Sequence, residues 1–160
     1  MSEKKTRPTR SKPPLKKEPS AWPMFLKAHD ALVARVEERL CDAGLPDLSW
    51  FTVLWVLERA PDQRLRMAEL ADAAVIPRSN LTRLVDKLEK DGLVVRERVS
   101  GDRRGAYARL TPEGDSMRKA MWTVYKPAIN EVFLQHLSAQ ETVALREMME
   151  RLLEANHTEV

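Results

Sequence analysis

Cysteine is almost missing from this chain: among 160 residues there is only Cys41. A lone cysteine excludes an internal disulfide framework, and the expected setting is a reducing cytosol. Glycine is scarce as well, with five residues, and none of them builds a phosphate-cradling loop. The three histidines, His29, His136 and His157, fall on different segments without metal-ligand spacing. No H-E-x-x-H is present and Cys41 has no adjacent base, so neither a catalytic centre nor a cofactor is expected. Long apolar runs are missing too: nothing approaches the ~18 residues of a transmembrane helix. Residues 1–20 are charged, with no apolar core following the charges, so no secretory signal and no membrane contact are expected. The expected location is the cytoplasm. A chain of 160 residues suits one domain with a core that needs no staples.

Charge is present in quantity and unevenly placed. Residues 1–20 hold seven lysines and arginines against two acidic residues, residues 64–109 hold eleven against seven, and the remainder nine against fifteen. Positive charge therefore gathers on the first twenty residues and on one middle block. A polyanion is the partner such a block suits.

The first segment, residues 1–20, is rich in Pro, Lys and Arg and poor in apolar residues, and reads as a disordered basic arm. A helix is expected over residues 23–42, with Phe25, Ala28, Leu32, Val36 and Leu40 as its apolar stripe. "AGLP" ends it, through a left-handed Gly44 and Pro46. A second helix is expected over 47–59, burying Leu48, Phe51, Leu54, Trp55 and Leu57. A short third covers 67–73, and "AVIP" leads to a fourth over 77–91 whose inward residues are Leu81, Leu84, Val85 and Leu88. Two strands follow, 94–99 and 106–110, joined by "SGDRRG". Thr111 caps a fifth helix reaching residue 135, with Pro112 at its first position and a bend expected at Pro127. Ser138 and Glu141 form a capping box that opens a last helix ending near residue 154.

The third and fourth helices together read as a helix-turn-helix. The fourth leaves Arg78, Ser79, Asn80, Thr82, Arg83 and Lys87 on its free face, which suits the ~12 Å major groove. The hairpin after it reads as a wing, whose loop would bring Arg103 and Arg104 to the neighbouring minor groove. The fold class expected is mainly α with a small β-hairpin wing.

At this point the residues resemble a known family. "ELA" at 69–71, "LTRLVDKLEKDGLV" at 81–94, "DRR" at 102–104 and "LTPEG" at 110–114 follow one another as in the MarR-type winged helix-turn-helix regulators. With the flanking helices the resemblance covers about residues 22–155. It implies a winged helix-turn-helix at residues 48–111, flanked by dimerisation helices at 21–47 and 112–160. It also implies a homodimer that reads a palindrome in double-stranded DNA and represses transcription until released by a small ligand or by thiol oxidation. By position, Ser79, Asn80, Thr82 and Arg83 would meet base edges or phosphates, and Arg78 and Lys87 phosphates. Arg104 would enter the minor groove, Asp102 would brace the wing, and Arg103 would do either job.

The family's ligand cleft lies between the dimer helices and the winged domain. Trp22, Phe25, His29, Trp50 and Trp55, with Phe51 and Met121 or Trp122, are the residues these helices offer to it. Aromatic walls with a few polar groups suit an aromatic acid or its conjugate. Cys41 is the redox candidate, but it ends the first helix and precedes Asp42, whose charge opposes a thiolate. Two positions depart from the family pattern. Val75 stands in the turn where related sequences often carry glycine, so this turn either avoids the left-handed region or is strained. Arg66 stands where a Ser or Thr cap is common, so the third helix is expected to fray. The rival readings are a non-specific architectural DNA binder and a protein that uses its wing to bind another protein.

Overall fold

The computed structural model describes residues 20–98 and 106–156. Six helices and three short strands run in the order α1 (Ala21–Asp42), α2 (Leu48–Arg59), β1 (Arg64–Arg66), α3 (Met67–Ala74), α4 (Arg78–Lys90), β2 (Val94–Arg98), β3 (Ala106–Leu110), α5 (Pro112–Val132) and α6 (Ala139–Asn156). Single 3-10 turns precede β1, at Pro61–Gln63, and follow α5, at Leu134–His136. The expected basic arm, apart from Ser20, and the loop carrying Asp102, Arg103 and Arg104 lie outside the described residues, as does His157. Among the described residues no helix is long and apolar enough to cross a membrane.

Two apolar clusters hold the chain. The larger one joins α2, α3, α4 and the sheet through Leu54, Leu57, Leu70, Leu81 and Leu88, all essentially inaccessible to water. Each such side chain contributes roughly 1.5–3 kcal/mol by leaving water. The smaller cluster packs Val36 and Leu40 of α1 and Phe51 of α2 on Met121 and Ala128 of α5. Trp50 touches both clusters.

The sheet is antiparallel in the order β1-β3-β2. The β2–β3 hairpin was expected; β1 was not, because three residues carry no periodicity of their own. α4 ends at a left-handed Gly92 (φ 74°), where the Leu93 N–H reaches back to the Leu88 carbonyl at 2.8 Å. Helix α5 runs through Pro127 and stops at Val132, short of the expected residue 135. The capping box is present: Glu141 accepts from both the N–H and the hydroxyl of Ser138, each at 2.8 Å, and these bonds hold its carboxyl below the ordinary value.

The stripe expected on α1 is buried only in its second half. Val36 and Leu40 are covered, Leu32 is half-buried, and Phe25 and Ala28 are exposed, because only the C-terminal turns of α1 reach α5. α6 buries none of its residues within the chain.

Candidate nucleic-acid interface

α4 is built for two environments. Leu81, Leu84, Val85 and Leu88 are buried, while Arg78, Ser79, Asn80, Thr82, Arg83 and Lys87 are all exposed. All six side chains chosen for the free face therefore stand on it. The Thr82 hydroxyl donates to the Arg78 carbonyl at 3.0 Å, which leaves its oxygen available as an acceptor. Asn80, Arg83 and Lys87 also form one wall of a groove whose other wall is the first turn of α2, with Asp47, Ser49 and Trp50.

One residue that sequence reasoning missed fixes how α4 is held. Arg96 lies in β2 on the core-facing side of the sheet, opposite the fully buried Ala108. Its guanidinium bonds to Asp86, to Glu89 at 3.3 Å and to the Thr82 carbonyl at 3.1 Å, and its N–H donates to Glu89 at 3.0 Å. Three turns of α4 are thus tied to the wing by one side chain. The available signal was its register, two residues after the buried Val94, where an apolar residue would be usual.

A separate cleft opens between α2 and α5. Phe51, Trp55 and Arg59 line one side, and Arg118, Trp122 and Tyr125 the other. The Phe51 ring lies 4.7 Å from that of Tyr125 and stacks 5.9 Å from Trp122, and Arg59 sits 4.7 Å over Trp55. Burial pushes the Tyr125 hydroxyl up from a value already above neutrality, so it is a hydrogen-bond donor. Of the five residues assigned to a ligand cleft, only Trp55 lines this one. Along the exposed start of α1, Phe25 stacks on Trp22 and lies tilted against His29, with centroids 6.0 and 6.4 Å apart. Trp50 faces α4 instead. These four stand apart from this cleft because α1 leaves α5 before its aromatic turns and because Trp50 opens α2 on the side facing α4.

Arg118 is held at the cleft by Asp115, which accepts two bonds from it at 2.9 and 3.1 Å. Bonds from Lys119 and then Arg118 keep the Asp115 carboxyl below its ordinary value. The folded-state pKa is depressed, so this stabilisation is complete above the ordinary carboxylate range and is lost as pH falls through the depressed value. Asp115→Asn should therefore lower the melting temperature at pH 7, and the gap between variant and parent should close in acid. A gap that persists unchanged at low pH would assign the effect to packing instead.

Comparison with known proteins places this arrangement. A profile of the MarR family matches residues 43–105. The chain superimposes on the crystal structure of Sco3205, a MarR family transcriptional regulator from Streptomyces coelicolor in complex with DNA, with a TM-score of 0.82, 30% identity and 94% of each chain covered. The chain belongs to the MarR family. The family member AbsC from S. coelicolor is also similar, with a TM-score of 0.79, 25% identity, and 91% of this chain and 97% of that one covered. The HTH-type transcriptional regulator FarR from Neisseria gonorrhoeae is 34% identical over 93 residues, a match that spans 62% of its length. These relatives are transcriptional regulators, not enzymes.

Against the MarR pattern, the two departures resolve differently. Val75 does adopt the left-handed conformation (φ 54°, ψ 40°), so the turn is made at the expense of strain, with the side chain 88% exposed. Val75→Gly should raise stability by up to about 1 kcal/mol, the strain relief exceeding glycine's entropic penalty. A thermal melt reads this directly, and a lower melting temperature would mean that the valine side chain contributes more than it strains. Arg66 does not leave α3 uncapped: Glu69 accepts from its N–H at 3.0 Å.

Proposed function

We propose that this MarR family member is a homodimeric, sequence-specific repressor that binds palindromic double-stranded DNA. The observation that carries the reading is α4, whose exposed residues are all polar, with Arg78, Arg83, Lys87 and Lys90 against Asp86, while its other face is locked into the core. In this reading Ser79, Asn80, Thr82 and Arg83 read base edges or phosphates, Arg78 and Lys87 bind phosphates, and Arg103 and Arg104, braced by Asp102, serve the minor groove. Such a protein works in the cytoplasm, on the nucleoid.

The dimer reading is supported by apolar surface with no cover of its own. α6 buries nothing, yet carries Leu152 and Leu153 at 57% and 63% exposure, and α1 presents Trp22 and Met24 at 65% each. Surfaces of this kind suit a self-complementary interface across a two-fold axis. The effector proposed is an aromatic acid. The α2–α5 cleft offers stacked aromatic walls together with the cations Arg59 and Arg118, a combination that fits a flat anion.

Selection of bound fragments from genomic DNA by the purified protein at ~150 mM salt tests the central point, because a repressor prefers its site over random duplex by ~10³ or more. Recovery of one palindrome with half-sites about one helical turn apart is the expected result. Recovery of fragments without a shared sequence would replace this reading with that of an architectural binder.

A further inference from the structure

The two cations of the α2–α5 cleft are held in different ways. Arg59, the last residue of α2, rides on the face of Trp55 and is positioned by stacking. Arg118 is positioned by a carboxylate. Its side chain is only 14% exposed, and its Nε and Nη2 both donate to the same oxygen of Asp115, at 3.1 and 2.9 Å. The other Asp115 oxygen meets the Lys119 ammonium at 2.6 Å. Asp115, Arg118 and Lys119 stand three and four residues apart on α5, so the helix itself sets their relation.

A guanidinium is flat and carries five N–H groups in a rigid fork. Asp115 takes up the edge made by Nε and Nη2. That leaves the outer end, made by Nη1 and the second N–H of Nη2, as a pair of parallel donors of the kind that binds a carboxylate at two points. Left to itself, an arginine head group samples many directions and loses that freedom on binding; the tie to Asp115 removes the loss in advance. The three side chains together keep one net positive charge, which one carboxylate neutralises. Beside them, Phe51 and Trp122 lie within 9° of parallel, in a cleft of about 400 Å³. That volume is in the range of small-molecule sites.

We propose that Asp115 is a positioning residue for effector recognition, turning the outer fork of Arg118 toward the carboxylate of a flat aromatic monoacid whose ring lies against the α2–α5 aromatics. The proposal rests on the effector reading above and assigns the two cations separate tasks. Arg118 takes the carboxylate, and Arg59 stays with Trp55 as part of the wall.

The test is calorimetric titration of the full-length protein with benzoate, 2-naphthoate and indole-3-carboxylate, each compared with its own carboxamide. The amides keep the shape and lose the charge, so they report stacking alone. Parent protein should prefer at least one acid over its amide by about tenfold or more, the worth of charged hydrogen bonds. Arg118→Gln should erase most of that preference. Arg118→Lys should do the same, since lysine keeps the charge and lacks the fork. Asp115→Asn separates positioning from plain attraction. It makes the cleft more positive, so charge alone would tighten the acid, whereas loss of the tie should weaken it several-fold and leave the amide unchanged. Asp115→Glu, which restores a carboxylate, should recover part of the preference. All titrations are made well below each variant's melting temperature. A purely structural Asp115 would lower that temperature and leave the acid-to-amide ratio at the parent value.

Unchanged or tighter acid binding by folded Asp115→Asn overturns the proposal, as does parent-like acid binding by Arg118→Lys. A preference lost in Arg59→Gln and kept in Arg118→Gln also overturns it, moving the carboxylate to Arg59 while the effector reading stands. Parent protein that binds none of the three acids at millimolar concentration defeats the effector reading itself, and the proposal falls with it.

Discussion

Gly114→Ala should destabilise the protein by about 3 kcal/mol, the upper end of what an added methyl group costs in a packed interior. The glycine lies in the first turn of α5. A β-carbon there would sit 2.1 Å from the Leu93 carbonyl oxygen and 2.8 Å from the Leu110 side chain. A flexible side chain could swing away, but the Leu93 peptide cannot. Its N–H is bonded to the Leu88 carbonyl at 2.8 Å and its oxygen accepts from the Thr111 N–H at 3.1 Å. The Thr111 hydroxyl adds a third tie, donating to the Gly92 carbonyl at 2.7 Å while accepting from the Gly114 N–H at 3.0 Å. Alanine's better helix propensity returns only about 1 kcal/mol. Urea denaturation followed by circular dichroism measures the difference. A loss below ~0.5 kcal/mol would mean that α5 can shift away from the end of α4 without breaking these bonds.

Arg96→Ala should cost about 2 kcal/mol of stability, in line with the loss of charged hydrogen bonds at a half-covered site. Its effect on DNA affinity should be larger than that figure suggests, because the substitution also loosens α4 on the wing. Removing the guanidinium leaves Asp86 and the Thr82 carbonyl without the group that joins them to β2, and leaves Glu89 only its bond from the Arg96 backbone N–H. Affinity measured by fluorescence anisotropy well below the melting temperature separates the two effects. Arg83→Ala is the contrasting case, since Arg83 is exposed on the free face and should weaken DNA binding while leaving the melt unchanged. Parent-like affinity in folded Arg96→Ala would show that core packing alone aims the helix.

What could be read in advance followed from how locally each element is determined. α4 was legible because its apolar face is completed by nearby segments and its period is unbroken. Its four buried and six exposed residues fell as expected. The caps at Thr111 and Ser138 depend on each residue's own hydroxyl accepting from an N–H three residues on, and were equally readable. β1 was hidden because its pairing partners, Tyr107 to Arg109, are more than forty residues distant. Phe25 and Trp22 carry the same apolar signature as Val36, yet among the described residues only the latter is buried against another element. The periodicity of a helix says which face is apolar and not what will cover it. For Val75 the sequence allowed two outcomes, and the hydrogen bond from the Ile76 N–H to the Ala71 carbonyl at 3.0 Å requires the left-handed one.

The isolation of α6 has a consequence for how the amount of protein governs its own integrity. An 18-residue helix with no buried residue in its own chain has little to hold it, since most of a helix's stability in a protein comes from packing its apolar face. On the dimer reading its support is another molecule, so its helicity obeys mass action. Dilution should then reduce the helical signal and lower the melting temperature together. A cell holding few copies would carry a population partly unwound at its C-terminal end, exposed to proteases, and cleared faster than the paired form. Abundance and persistence of the regulator would be linked through one unsupported helix.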